Sequence, residues 1–535
     1  MVRRRRFLST IAALPFLFYC RALSATEAEG NIIRLADYNP PSHSQGTVDA
    51  ALRAAINATR GRPATILFPA GRFRFEREFT INKRHQLTLV GNNTTIEGEP
   101  MRAYFNLVQC SNIGFRGIVF DTRGGAIPKY ESYADGLRQA AIRFYRSNGL
   151  SVEQCEFRRL YTAHIVVEAS SLIKVVNCSF DSPLQNQGAY LVFIELLSSG
   201  GSINISTNCF RAAPTSGNDR NPSAISMSGV RGNILISQNK ASHCGRNNRH
   251  QHRLGVFDIY TDGAGISVIG NTVSDCHEQF MRISTSQDVV VRENIVTVAP
   301  GVDPTYSTLT IESGSFPTLS NPVAKRILIE ANRFSISGNS QAFAVGVIGY
   351  DWGGAPQDIT VKGNAITGYD RSFYLAGPLD KVQISHNFVQ NVRAFLEYEM
   401  EGSVSLTSRL GREEGARVDQ LVVEDNIVEL RRGSPVAAVA ISTSRQGPFK
   451  GRVGDIIFNR NRLTAISPQS QFGVSALLQA SPGDGNFYAS DNVIDGYSVP
   501  FYLRSVALAT LSRNRHASAI NPVLTDLSVR KVQIQ

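Results

Sequence analysis

The chain has 535 residues, 42% of them apolar and 19% charged, which excludes an intrinsically disordered polymer. Seven cysteines are too few for a disulfide scaffold, and one tryptophan beside 44 glycines points to turns and short strands, not to a helical bundle. The net charge of +11 includes five arginines within residues 1–25, so the remainder carries 50 basic and 44 acidic side chains, too mild an excess for a nucleic-acid binder.

Residues 1–25 read as an export signal. Arg3 to Arg6 precede an apolar run from Ile11 to Cys20, and Ala22-Leu23-Ser24-Ala25 supplies small residues for cleavage. Arg4-Arg5-x-Phe7-Leu8 resembles the twin-arginine signal that exports folded proteins. No later apolar stretch has the length of a membrane span. The expectation is a protein without integral membrane association, periplasmic or secreted.

Residues 26–84 form an N-terminal segment with a capping helix and the first strands. Thr47 is placed to cap a helix from Val48 to Ala58, whose Ala51, Leu52, Ala55 and Ile56 make one apolar face. Such a helix would plug the open end of a stack of strands. ATILFPAGRFRF, from Ala64 to Phe75, then supplies a strand, a turn and a second strand.

From residue 85 to about residue 520 one pattern recurs: alternating apolar residues, an asparagine, and another apolar pair. It runs through Asn177, Asn208, Asn239, Asn271, Asn294, Asn332, Asn364, Asn387, Asn426, Asn461, Asn492 and Asn514, with degenerate copies at Gly117 and Gln154. Spacings from Asn271 onward are 23, 38, 32, 23, 39, 35, 31 and 22 residues, a steady minimum with variable insertions. A period this short, built from strands, means a solenoid. Asparagine tolerates the left-handed backbone of a corner, and its amide can bond the same amide one coil away. The fold class expected is all-β: a right-handed parallel β-helix with an N-terminal capping helix, and residues 521–535 as a C-terminal tail or cap.

The amphipathic helix, the FPAG turn and the Asn-cornered strands together resemble the pectate-lyase-like superfamily of right-handed parallel β-helix, polysaccharide-active proteins, over roughly residues 32–515. That resemblance implies a long groove for polysaccharide, used by lyases, hydrolases, epimerases and some transferases. Trimers are common among such proteins, but no heptad or apolar patch in this sequence reports one. The Asn-Thr-Asp, Asp-Asp, Gly-His-Gly and Arg-Ile-Lys set of polygalacturonase-type hydrolases is missing, as is the Arg-x-Pro-x-x-Arg of pectate lyases. His277-Glu278-Gln279 is similar to part of an epimerase motif, but Cys276 stands where those enzymes have proline.

Each coil has a second strand after the Asn corner, such as FIELLS, FDIYTDG, FMRISTS and TLTIESG. With Ile165 and Val167 facing inward, alternation turns Glu168, Glu195, Ser226, Asp258, Tyr260, Asp262, Arg282, Thr310 and Glu312 outward onto one face. Coils lie about 4.8 Å apart, which puts Asp258 and Arg282 within ion-pair reach. Residues 243–312 also hold four of the nine histidines, and Ser242 to Arg253 reads as a basic flap beside the same coils. The catalytic candidates are therefore Asp258, Tyr260, Asp262, His277, Arg282 and Glu312. The substrate-binding candidates are Glu195, His250, His252, Arg253, Glu278, Trp352 and Tyr374. Trp352, in the Gly-rich GYDWGGAP, reads as a sugar platform, extended along following coils by Tyr350, Tyr374 and Tyr398.

His243, Cys244, His250 and His252 match no zinc spacing. Lyases of the superfamily often use Ca2+ to neutralise a uronate, and Asp258 and Asp262 are the ligands the resemblance would offer it. The cysteines read as stacked interior thiols, with Cys155, Cys178 and Cys209 at one offset from the corner residue and Cys244 and Cys276 at another.

Three functions fit these residues. An exported polysaccharide lyase on an acidic, uronate-containing polymer would use Arg282 to clamp the carboxylate, His250 or His277 as base, and Tyr260 as proton donor. A glycoside hydrolase or glycosyl-transferring enzyme would use Asp258 and Glu312 as paired carboxylates, with Asp262 and Glu278 in reserve. A non-catalytic polysaccharide-binding or assembly protein would use the same face without chemistry.

Overall fold

The computed structural model describes residues 31–41, 46–75, 78–98, 103–121, 140–159, 163–182, 192–214, 221–245, 255–261, 263–276, 279–299, 307–313, 323–337, 342–349, 355–399, 417–431, 437–442, 452–477, 485–517, 522–525, 529 and 531–535. All 45 described strands belong to one hydrogen-bonded network, and each strand pairs in parallel with its counterpart one coil away. The chain is a right-handed parallel β-helix.

Each coil has three faces, where the sequence pattern suggested two strands. In one coil they are Arg231–Ser237 on the first face, Lys240–Ser242 on the second and Phe257–Tyr260 on the third. The second-face strand is too short to register as a period of its own, so in the sequence it merges with the Asn corner before it. Paired strands begin at Asn31–Arg34 and continue to Lys531–Ile534.

Asparagine builds the corner between the first and second faces. From Asn208 onward, each ladder amide donates from Nδ2 to Oδ1 of the asparagine one coil later, at 2.8–3.2 Å, through Asn514. Each bonded pair corresponds to one spacing in the sequence: 23 residues from Asn271 to Asn294, then 38 to Asn332.

The left-handed turn falls one residue earlier than expected. Thr207, Gln238, Glu293, Ala331, His386, Asp425, Arg460, Asp491 and Arg513 take φ of 51–57°, while the following asparagine points inward. The ladder therefore selects asparagine for its amide, and its neighbour absorbs the strain of the turn. Asn177 is the exception in identity: it takes the left-handed position itself (φ 55°), and Cys178 fills the ladder place, its N–H donating to Asn208 Oδ1 at 2.9 Å.

Cys155 likewise follows a left-handed Gln154, so Cys155 and Cys178 stack as inferred. Cys209 does not join them. It pairs with Ser179 and Lys240 on the second face, because the ladder place of its coil belongs to Asn208. None of the six described cysteines forms a disulfide.

The interior is apolar and regularly stacked. Phe120, Phe157, Phe180 and Phe210 lie one above another with centroids 4.8–4.9 Å apart. A second polar ladder closes the corner between the third and first faces, where the N–H groups of Cys110, Ser147 and Ser170 donate to the hydroxyls of Ser147, Ser170 and Ser199, each one coil on, at 2.9–3.3 Å. The capping helix spans Asp49–Ala58 and buries Ala51, Leu52 and Ala55 in the same core, with Ile56 half-buried. Thr47 does not cap it. Val48 takes the N-cap place, held by its N–H bond to the Arg74 carbonyl at 2.8 Å.

Candidate functional site

The third face carries the outward residues of interest, and its register fixes their neighbours. One outward column runs Arg143, Val166, Glu195, Ser226, Asp258, Arg282, Thr310, Gly346, Tyr374 and Glu397, one residue per coil. A second column, two residues further along each strand, runs Tyr145, Glu168, Leu197, Ser228, Tyr260, Ser284 and Glu312. Alternation thus places Glu195, Asp258, Arg282 and Glu312 on one face.

Facing outward does not leave the carboxylates exposed. Glu195 is 0% exposed, Asp258 1% and Glu312 3%, whereas Tyr260 and Arg282 are half-buried. Nor does Arg282 pair with Asp258, its partner in register. Its Nε and Nη2 donate to Glu312 Oε1 at 2.6 Å, and its guanidinium lies 4.5 Å from the centre of the Tyr260 ring. Ser284 donates to the same Glu312 oxygen. The guanidinium is drawn one coil on, to a carboxylate that a hydroxyl already orients.

Among the described residues, neither carboxylate oxygen of Asp258 has a hydrogen-bond partner. Burial drives its pKa well above the ordinary carboxylate range; Arg282 pulls it down, while Glu195 and Glu312 push it up. Glu195 accepts a long bond from Ser226 at 3.5 Å. Asp258 thus stands between two acidic side chains, each two coils away, in surroundings that favour its protonated form. Gln279, beside these coils, donates to Thr310 Oγ1 at 2.9 Å.

Ser284 and Gln279 escaped the sequence reading. The parity of FMRISTS puts Ser284 outward, but only register shows that it meets Glu312. Asp262, His277, Glu278, His250, His252, Arg253, Tyr350 and Trp352 lie outside the described residues. Tyr374 sits half-buried in the first column. Tyr398 is no platform: it aligns with the inward Leu375, is fully buried, and donates its hydroxyl to the Gly377 carbonyl at 3.1 Å. In AFLEYE the inward residues are Leu396 and Tyr398, so Glu397 takes the outer place.

Among the described residues no three His, Cys, Asp or Glu side chains gather as metal ligands. No helix there is long and apolar enough to cross a membrane.

A scan against protein-family models finds no match, and a search of curated proteins finds none. Solved structures are similar in fold. The pre-mature gene product 12 of bacteriophage phi29 shares 13% identity at a TM-score of 0.52, covering 91% of this chain and 72% of its own. The catalytic unit of a GH87 α-1,3-glucanase from Streptomyces thermodiastaticus shares 13% at 0.47, covering 87% and 68%. A mutant tailspike protein of E. coli bacteriophage HK620, in complex with pentasaccharide, shares 12% at 0.46, covering 96% and 81%. At these identities the likeness concerns the β-helix itself.

Proposed function

We propose that the protein is an exported carbohydrate-active enzyme that hydrolyses a polysaccharide on its third face, with Asp258 as general acid and Glu312 as the partner carboxylate. The observation that carries this reading is the state of Asp258: buried, without a hydrogen-bond partner among the described residues, and flanked by two carboxylates that favour its protonated form. A carboxylic acid that keeps its proton at neutral pH can give it to a leaving glycosidic oxygen. Glu312, held by Arg282 and Ser284, is oriented to act on a water or on the sugar. Two coils of about 4.8 Å separate Asp258 from Glu195 in its own column and from Glu312 in the neighbouring one, backbone spacings of ~10 Å or more that exceed the ~5–5.5 Å of a direct nucleophile and leave room for a water.

The lyase alternative needs a cation for the substrate carboxylate. Arg282 is already engaged by Glu312, and the carboxylates around it repel a uronate, so support shifts from the lyase to the hydrolase. The similarity of fold to the α-1,3-glucanase and the tailspike is consistent with a polysaccharide substrate and does not choose the reaction. Export rests on residues 1–25, and fusing them to a reporter tests it.

The decisive experiment incubates the chain with neutral and acidic polysaccharides and follows reducing ends, the ultraviolet absorbance of unsaturated uronate, and the anomer released. Hydrolysis predicts reducing ends with inversion, lost in both Asp258→Asn and Glu312→Gln. Unsaturated product would establish the lyase instead. Retention of a polysaccharide without cleavage would establish the non-catalytic reading.

A further inference from the structure

The third face carries a regularity that acid–base chemistry does not use. Tyr145 aligns through Glu168, Leu197 and Ser228 with Tyr260, four coils on. Asp258, on the coil of Tyr260, aligns through Arg282, Thr310 and Gly346 with Tyr374, again four coils on. Tyr374 aligns through Glu397, Ala440 and Ser475 with Tyr502, four coils further. No other described residue of these two outward columns is aromatic. At about 4.8 Å per coil the rings recur every ~19 Å and span ~58 Å.

Each tyrosine is half-buried and propped by a neighbour. The guanidiniums of Arg143 and Arg146 lie 5.0 Å from the Tyr145 centroid, and that of Arg282 lies 4.5 Å from Tyr260. Phe343 stands 4.6 Å from Tyr374, and Phe472 stacks on Tyr502 at 4.4 Å with 18° between the planes. Props of this kind fix the rings before a ligand arrives, so little conformational freedom is lost on binding.

We propose that this row is a track for one extended polysaccharide chain lying along the helix axis, contacted by a tyrosine every fourth coil, with Asp258 beside the second contact. A sugar ring offers a C–H face to the aromatic plate and hydroxyls to the phenol and guanidinium groups. Rings ~19 Å apart suit a polymer with several sugars between contacts. A monosaccharide or disaccharide reaches one ring at a time and gains nothing from the others. The inference deepens the hydrolase reading and rests on it for the position of the cleaved bond.

The test uses the full chain with Tyr145→Ala and Tyr502→Ala combined, at positions remote from Asp258, and Tyr145→Phe and Tyr502→Phe as conservative controls. Affinity electrophoresis through a panel of polysaccharide gels selects the polymer, and size-fractionated fragments of it are then titrated. Long fragments should bind the double alanine variant about tenfold more weakly, short ones equally well, with the phenylalanine variants near wild type. Asp258→Asn should keep the length dependence while losing cleavage, so the track and the hydrolase reading fail separately. Affinity independent of length, or unchanged in the double alanine variant, overturns the track. So does failure of every polysaccharide to retain the wild type, or self-association abolished by the same two substitutions, which would assign the row to a second copy of the chain.

Discussion

Two parts of the coil bury polar side chains at the same coil-to-coil period, and they do so in opposite ways. At the first corner each asparagine has its amide matched: Asn332, for example, donates to Asn364 Oδ1 and the Val291 carbonyl and accepts from both the N–H and the Nδ2 of Asn294. On the third face Asp258 is equally buried, and neither oxygen has a partner among the described residues. A buried polar residue alone therefore says little. Satisfaction separates the part that holds the coil from the part fitted to act on something outside it.

The largest expected effect comes from breaking the satisfied side. Asn332→Leu would leave the buried Asn294 N–H without its acceptor and the Val291 carbonyl without its amide donor, while Asn294 Nδ2 would keep only the Val268 and Arg292 carbonyls. At about 1–3 kcal/mol for each buried group left unmatched, the loss should reach several kcal/mol and move the chemical-denaturation midpoint accordingly. An Asn332→Leu protein as stable as wild type would mean that the ladder records the fold without supporting it.

The unsatisfied side should respond in activity. Asp258→Asn removes the acidic proton and keeps the shape, so turnover should fall at least about a hundredfold. Stability should move the other way. The folded chain holds the Asp258 proton where the unfolded chain has released it, so its contribution is full below the ordinary carboxylate pKa and is lost as pH rises through the raised folded value. Asparagine has no charge to bury. The variant should therefore lose less stability than wild type as pH rises towards that raised value, as urea midpoints measured across pH would show, while wild-type turnover declines as pH passes through it.

The asymmetry also explains what was legible beforehand. The ladder repeats one residue at one place because hydrogen bonding demands the same amide in each coil, so the spacings alone reveal the coils. Alternation likewise gave the outward direction of Asp258, Arg282 and Glu312. It carried no information on burial, which depends on what covers a face, nor on Arg282 choosing Glu312 over its register neighbour Asp258. The four-coil tyrosine row is invisible in the sequence because loops of unequal length separate its members; it emerges only when residues are counted by coil.

A smaller effect should follow at His164, which lies between the two regimes. It is fully buried among Phe157, Phe180 and Phe193, with centroids 5.3–6.0 Å away. Burial pushes its pKa down to about 3, against the pull of the Asp181 carbonyl and the Asp121 carboxylate. Between its ordinary value of 6.5 and about 3, the unfolded chain binds a proton that the folded chain refuses, so stability falls as pH drops through that window. His164→Phe extends the aromatic stack and removes the titration. It should shift acid unfolding to lower pH and leave the midpoint at neutral pH nearly unchanged; an unaltered acid transition would exclude His164 as its source.

The smallest expected effect lies beside a ladder amide, at a single corner. Asp425 turns outward in the left-handed position and pairs with Arg460 through both carboxylate oxygens at 2.8 Å, while Asn426, the next residue, points inward to the ladder. Hydrogen bonding from Arg460 lowers the Asp425 pKa, so the pair's contribution is present above the ordinary carboxylate value and fades as pH falls through the lowered one. The Arg460 side chain is 49% exposed and that of Asp425 27%, so solvent and salt screen the pair. Asp425→Asn keeps a residue that accepts the left-handed backbone and should change stability by less than about 0.5 kcal/mol at physiological salt. Asn426→Ala, one peptide bond away, would leave the Asn387 N–H without its acceptor and its Nδ2 with the Val361 carbonyl alone, and should cost several times more. Equal losses in the two variants, measured by denaturation at low and high salt, would mean that the outer charges bind the coils together as strongly as the inner amides do.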